Sequence, residues 1–149
     1  MSIAVINNLN RNDLFRKLMS RTLTEITPAD CIGLTYLGQY ILYNTQSLLY
    51  ADFGNYVQDF AYASVYNCTN LLTIYMGTGV TRIRNLAFAS CSSLTSITIL
   101  ATTPPTLDNA AAFDQTNDCP IYVPAASVTA YQTASNWSSL ASRIQAIPE

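Results

Sequence analysis

The chain has no histidine and few charged residues, and these deficits narrow its function before any motif is considered. Histidine is the commonest general base and belongs to the usual catalytic triads, so those mechanisms are excluded. The carboxylates are scattered, and Gly77-Thr78-Gly79 is a turn that lacks the rest of a phosphate-binding motif. We therefore expect a protein that is not an enzyme.

Charged residues account for only 11% of the 149 residues, against about 25% in typical domains, and the formal net charge is −2. The surface must therefore be built largely from Thr, Ser, Asn, Gln and Tyr, which suit neutral contacts better than phosphate binding. We expect no nucleic-acid partner, because such a partner selects a basic surface.

Long apolar runs are missing as well. No stretch reaches the length of about 18 apolar residues that a membrane span requires. The apolar run from Ile3 to Ile6 is too short for a secretory signal and lacks the positive flank of one. We expect no membrane insertion, and neither an export signal nor a membrane anchor.

What the chain does contain is a repeat of 23 residues. Cys68-Thr69-Asn70-Leu71 returns as Cys91-Ser92-Ser93-Leu94, and Thr45-Gln46-Ser47-Leu48 is a degenerate copy 23 residues earlier. A fixed period of about 20–50 residues indicates a solenoid, in which stacked units bury one continuous core and present long binding surfaces.

Each unit has a physical interpretation. Ser96-Ile97-Thr98-Ile99 alternates polar and apolar side chains, as expected of a strand with one buried face. Gly77, like Gly54 one unit earlier, marks a turn. A segment ending at Cys91 then returns the chain to the next strand, and Phe88 is expected to fill the interior.

The four cysteines are placed so that Cys68 and Cys91 share one position of the repeat. We expect these two to be small buried hydrophobes, although a disulfide between stacked neighbours is sterically conceivable. Without histidine or a Cys-x-x-Cys motif, a zinc site is not expected. Asp114 and Asp118 lie in one loop, where they could bind calcium weakly or simply keep the loop solvated, and we favour the second role. We expect no metal and no cofactor.

The pattern Leu94-x-x-Ile97-x-Ile99, with Val80-x-x-Ile83 and Ala87-Phe88-x-x-Cys91, resembles the BspA-like leucine-rich repeat of bacterial surface antigens. The tail, with Thr103-Pro104-Pro105 and Cys119-Pro120-Ile121-Tyr122-Val123-Pro124, resembles the closing segment of that family. The resemblance covers residues 23–147. It implies an α/β solenoid, a leucine-rich-repeat stack with a parallel β-sheet. To this fold class the residues at the two ends add an N-terminal helix and a C-terminal helical cap.

We divide the chain into three parts. Residues 1–22 form a helical cap or attachment segment, and residues 23–103 form the leucine-rich repeats. Residues 104–149 form the last repeat and the C-terminal cap. A helix after Asn12 could cover the first repeat. Alternatively, the first segment could dock onto another protein. The residues that would attach it are Ile3, Val5, Ile6, Leu9 and Arg11.

In the tail, Ile121-Tyr122-Val123 is predicted to be the final strand, aligned with Ile97-Thr98-Ile99. Pro124 suits the first turn of a short helix that follows this strand. We expect Trp137 and Ile144 to seal the last repeat, although Trp137 could instead be a platform on which a carbohydrate stacks.

The outward face of the sheet is the candidate binding surface. Strand register places tyrosines among hydroxyl-bearing and acidic side chains in two columns, and tyrosine offers rigid aromatic area with a polar tip. An ordinary solvated face would need only the hydroxyl-rich residues, so three tyrosines favour binding. The candidate residues are Tyr50, Asp52, Thr73, Tyr75, Ser96, Thr98 and Tyr122.

We therefore expect a non-enzymatic interaction protein. The chain resembles short members of this repeat family carried by phages of gut bacteria, which implies a virion-associated capsid, fibre or tail protein on the phage particle. Its partners would be other virion proteins or a host cell-surface protein or glycan, and a homo-oligomer is possible. The alternative is an adhesion or scaffold module at a bacterial cell surface.

Overall fold

The computed structural model describes residues 23–149, in which the chain winds through coils that stack in parallel. Within this range the strands are β1 (Glu25–Ile26), β2 (Tyr36–Leu37), β3 (Tyr50–Asp52), β4 (Asp59–Phe60), β5 (Thr73–Met76), β6 (Arg82–Ile83), β7 (Ser96–Ile99), β8 (Thr106–Leu107), β9 (Ile121–Val123) and β10 (Ile144–Ala146). A six-stranded parallel sheet has the order β1-β3-β5-β7-β9-β10, and a four-stranded parallel sheet has the order β2-β4-β6-β8.

The register of the six-stranded sheet follows the period read from the sequence. Ile74 lies opposite Ile97, and Tyr75 lies opposite Thr98, so neighbouring strands are offset by one repeat. Ile74 and Ile97 are buried, whereas Tyr75 and Thr98 point outward. The stacked solenoid with a parallel sheet is therefore confirmed.

The four-stranded sheet forms a second side that the sequence pattern did not reveal. Each of its strands has only two residues, which is too short for an alternation to be recognised. The inward residue of each strand is nevertheless buried. These residues are Leu37, Phe60, Ile83 and Leu107.

Four return segments in the described part of the chain connect the four-stranded sheet back to the six-stranded sheet, and they are residues 38–49, 61–72, 84–95 and 108–120. They are joined by backbone hydrogen bonds from one coil to the next, such as Asn44 N to Tyr66 O at 2.9 Å and Asn67 N to Ala89 O at 2.9 Å. Two positions in each of the first three segments adopt the left-handed backbone conformation. They are Tyr40, Ala63 and Leu86, and then Asn44, Asn67 and Ser90.

The core contains a line of aromatic rings that runs along the stack. Phe60 packs against Phe88 with ring centroids 5.2 Å apart, Phe88 stacks on Phe113 at 5.7 Å, and Phe113 contacts Trp137 at 5.7 Å. Cys68 and Cys91 are fully buried free thiols, as predicted. The interior position assigned to Phe88 is confirmed as well.

The C-terminal cap contains helix α1 (Val128–Thr133) and a 3₁₀ helix, Trp137–Arg143. Trp137 is completely buried, and its Nε1 donates a hydrogen bond to Pro105 O at 2.8 Å. The alternative of an exposed carbohydrate platform at Trp137 is therefore wrong. The prediction that Trp137 and Ile144 seal the stack is confirmed.

The prediction that Ile121–Val123 is the final strand is wrong, because β10 adds one more strand to the six-stranded sheet. The short helices of the cap bring the chain back to the position of the next repeat, and Ile144 lies opposite Ile121. The predicted N-terminal helix and the attachment residues Ile3, Val5, Ile6, Leu9 and Arg11 lie outside the described residues. Between residues 23 and 149, no helix has the length and hydropathy needed to cross a bilayer.

Candidate functional site

The outer face of the six-stranded sheet brings all seven predicted binding residues together in two columns. The first column runs from Glu25 through Tyr50 and Thr73 to Ser96. The second runs through Asp52, Tyr75, Thr98 and Tyr122. Because both columns lie on continuous parallel strands, the backbone fixes the spacing between their side chains.

Two tyrosines dominate the exposed area of this face. Tyr50 is 49% exposed and Tyr75 is 36% exposed, whereas Tyr122 and the hydroxyl-bearing residues are half-buried. Tyr50 lies opposite Thr73, so Tyr75 is its diagonal neighbour on the next strand. The two exposed rings therefore lie close enough to contact one partner surface together.

The acidic residues of the face are confined to its N-terminal half. The Asp52 carboxylate accepts a hydrogen bond from Gly54 N at 2.9 Å, so it stabilises the turn that follows β3 as well as lying on the surface. Glu25 is exposed at the first strand. In the part of the chain that the structure describes, no group of three or more acidic or cysteine side chains could hold a metal ion.

Gln145 extends the face beyond the predicted residues. It lies on β10 directly opposite Tyr122 and is exposed, so the second column continues for one more strand. The signal was available in the sequence, because Ile121 and Ile144 are separated by the same 23 residues as the other repeats. The helical pattern between these residues obscured it.

The outer face of the four-stranded sheet differs in being occupied by ion pairs. Arg84 Nη2 lies 2.7 Å from Asp59 Oδ2, and Arg82 Nε lies 2.9 Å from Asp108 Oδ1. The hydrogen bonds to Asp59 raise the pKa of Arg84 above its ordinary value. These charges are satisfied by each other, so this face is less suited than the tyrosine-bearing face to neutral contacts with a partner.

The stacked coils and their parallel strands are those of a solenoid, and the 23-residue period is that of a leucine-rich repeat. A family model described as the BspA-type leucine-rich repeat region, in six copies, matches residues 12–133. The chain belongs to this family. Its repeats indicate a protein–protein interaction module, and the family is generally a non-enzymatic scaffold. A comparison with curated proteins finds no significant match.

Proposed function

We propose that this protein is a virion-associated interaction protein of a phage, located on the capsid, fibre or tail. It binds a neighbouring virion protein or a host cell-surface protein or glycan through the outer face of the six-stranded sheet. The observation that carries the binding part is the pair of exposed tyrosines, Tyr50 and Tyr75, on a sheet of continuous parallel strands.

The energetics of such a face favour binding. A tyrosine loses little conformational entropy when it is immobilised, and it contributes both apolar area and a hydroxyl group. The surrounding Thr73, Ser96 and Thr98 carry hydroxyl groups that form hydrogen bonds without the desolvation cost of a charge. The rigid strands also reduce the entropy cost of ordering the face when a partner binds.

The proposed location on a phage particle is supported by the resemblance of the chain to short proteins of this repeat family in phages of gut bacteria. The alternative setting, an adhesion or scaffold module at a bacterial surface, is supported by the resemblance of the repeat to bacterial surface antigens. Quantitative mass spectrometry of purified particles separates the two. A fixed copy number per particle is expected, whereas enrichment in the cell envelope with none in particles would establish the alternative.

Binding through the sheet face is tested with purified protein and two surfaces, intact host cells and particles that lack this chain. Wild-type protein is expected to bind one of them saturably, and Tyr75→Ala should weaken binding about tenfold. Tyr56→Ala is the matched control, because Tyr56 is 47% exposed and lies outside both columns. Equal losses from Tyr75→Ala and Tyr56→Ala would show that the sheet face is not the binding surface.

A further inference from the structure

A second aromatic surface lies on the return side, where four tyrosines from two successive coils form a cluster. Tyr43 and Tyr66 have parallel rings with centroids 5.8 Å apart, and Tyr40 contacts Tyr43 at 5.8 Å and Tyr62 at 5.6 Å, edge to face. Tyr40 and Tyr43 are 52% and 50% exposed. The interaction with the Tyr62 side chain raises the pKa of Tyr40 above its ordinary value.

An amide ladder continues directly from this tyrosine cluster along the same two return segments. Asn67 Nδ2 donates to Asn44 Oδ1 at 3.0 Å, and Gln46 Nε2 donates to Asn44 Oδ1 at 2.7 Å and to Asn67 O at 2.8 Å. Asn70 Nδ2 donates to Gln46 O at 2.8 Å, and Thr69 donates to Gln46 Oε1. All of these bonds except the one between Gln46 and Asn44 join one coil to the next, and together they hold the amide groups in fixed orientations.

Some donor and acceptor groups of the amide ladder have no hydrogen-bond partner among the described residues. Among the described residues, none forms a hydrogen bond with Asn44 Nδ2 or with Asn67 Oδ1. A neutral amide carries two N–H donors and a carbonyl acceptor, so the ladder presents both kinds of group to solvent. They lie next in sequence to the stacked rings of Tyr43 and Tyr66.

The surface formed by the tyrosine cluster and the amide ladder also carries no charged side chains. The return segments 38–49 and 61–72 contain no Asp, Glu, Lys or Arg. An anionic or cationic ligand would find no opposite charge in these segments. A neutral ligand with one apolar face and many hydroxyl groups would be complementary to both the rings and the amides.

We propose that the four-tyrosine cluster and the amide ladder form a binding site for a neutral saccharide, separate from the sheet face. A pyranose ring has an apolar C–H face that stacks on an aromatic ring, and its rim of hydroxyl groups both donates and accepts hydrogen bonds. The site offers Tyr43 and Tyr66 as platforms, Asn44 Nδ2 as a donor and Asn67 Oδ1 as an acceptor. Preorganised amides lower the entropy cost of binding.

The aromatic column ends at the third coil, which sets one boundary of the site. Tyr43 and Tyr66 occupy one repeat position, and the next residue at that position is Ala89. Within residues 23–149 the aromatic column therefore contains two rings, which suits a short stretch of sugar units. A long aromatic strip, such as an extended polymer would require, is absent from the described coils.

The test is titration of the full chain with four neutral hexasaccharides, maltohexaose, cellohexaose, mannohexaose and N-acetylchitohexaose, and with hexagalacturonate as an acidic comparison. Binding is followed by saturation-transfer NMR and by amide chemical shifts. At least one neutral hexasaccharide is expected to bind with a Kd below about 1 mM, and hexagalacturonate about tenfold more weakly. Tyr43→Ala and Asn44→Asp should each weaken binding about tenfold.

Two of the variants separate recognition from folding. Asn44→Asp keeps the acceptor that faces Gln46 and tolerates the left-handed backbone, but it removes the Nδ2 donor. Tyr43→Phe keeps the stacked ring and should retain binding within about threefold. Thermal unfolding of each variant identifies any that lose the fold.

The proposal is overturned if none of the four neutral hexasaccharides binds, or if Tyr75→Ala on the sheet face weakens their binding as much as Tyr43→Ala does. It is also overturned if light scattering shows a dimer that Tyr43→Ala dissociates, since a second copy would then occupy the cluster. The sheet face is tested separately, by Tyr75→Ala in the cell and particle assays. A negative result for one of the two proposed sites therefore does not affect the interpretation of the other.

Discussion

The six-stranded sheet and the return side are built from the same coils, yet they are ordered by different means. On the sheet side, strands of two to four residues alternate between buried and outward side chains, as in Thr73–Met76. On the return side the coils are held by backbone hydrogen bonds between left-handed turns rather than by extended strands. The sheet side is specified by a local pattern, whereas the return side is specified by stacking.

Buried thiols contribute to the stacking of the return side. Cys68 Sγ donates to Leu42 O at 3.1 Å, and Cys91 Sγ donates to Val65 O at 3.2 Å, so each thiol reaches the preceding coil. Thr45 fills the same position one coil earlier, and its Oγ1 donates within its own coil to Leu42 O at 2.7 Å. The comparison indicates that this position needs a small hydrogen-bond donor and not specifically a cysteine.

The largest expected effect comes from removing a core ring that the return side supplies. Phe88→Ala should lower the free energy of unfolding by about 3–5 kcal/mol, because Phe88 is fully buried and contacts three other phenylalanine rings. Urea denaturation measures the change. Phe88→Leu should cost less than half as much, and a loss below about 1 kcal/mol for Phe88→Ala would contradict the assigned core.

A smaller loss is expected at the corner where the chain leaves the six-stranded sheet. Gly77→Ala should cost about 1–3 kcal/mol, because the added Cβ would collide with Gly54 O and Asn55 Oδ1 of the preceding coil. Thr78→Ala is the neighbouring control, since Thr78 is exposed and bonds to Asn55 through its backbone N–H. If both variants had the same unfolding midpoint, the close approach of the coils would not explain why residue 77 is a glycine.

Alkaline pH should lower the stability of the fold. The neighbouring Cys68 thiol and burial raise the pKa of Cys91 above its ordinary value of 9.0, and burial raises the pKa of Tyr131. The unfolded chain then releases these protons before the folded chain does. The stability contributed by the neutral Cys91 thiol is complete below about pH 8.5 and declines as pH rises further.

Urea midpoints measured between about pH 7 and pH 10 test this dependence. Wild-type protein should lose stability above about pH 8.5, and Cys91→Ala should show a smaller loss over the same interval. A parallel decline in the two proteins would mean that other groups govern the alkaline transition.

The smallest effect on stability is expected on the sheet face itself. Tyr75→Ala should change the free energy of unfolding by less than about 0.5 kcal/mol, because its side chain is exposed and forms no core contact. Chemical denaturation is compared with partner binding, which should weaken. A Tyr75→Ala variant that unfolds more readily than Phe88→Ala would show that the strand register is reversed.

Much of the sheet side was predictable because its signal is local. The pairing of Ile74 with Ile97 follows from the 23-residue period, and the outward position of Tyr75 follows from the period-two alternation of a strand. The positions of all seven candidate face residues followed in the same way. Their role in binding stays a prediction.

The return side could not be predicted to the same depth. Two-residue strands such as Arg82–Ile83 carry no periodicity, and Tyr40 and Leu86 adopt a left-handed conformation that their residue types disfavour. The contact of Tyr43 with Tyr66 depends on the stacking of the coils, although both residues occupy one repeat position. The strand β10 was missed because helical residues separate it from β9.

The amino-acid sequence by itself determined the repeat period, the burial of the thiols Cys68 and Cys91, and the side of each strand that faces water, because these properties depend on spacing and side-chain polarity. The tertiary structure alone decided that a second sheet forms, that the cap returns to add β10, and that tyrosines from two coils meet beside a ladder of amides. Those features depend on backbone hydrogen bonds between coils, which no single repeat can form.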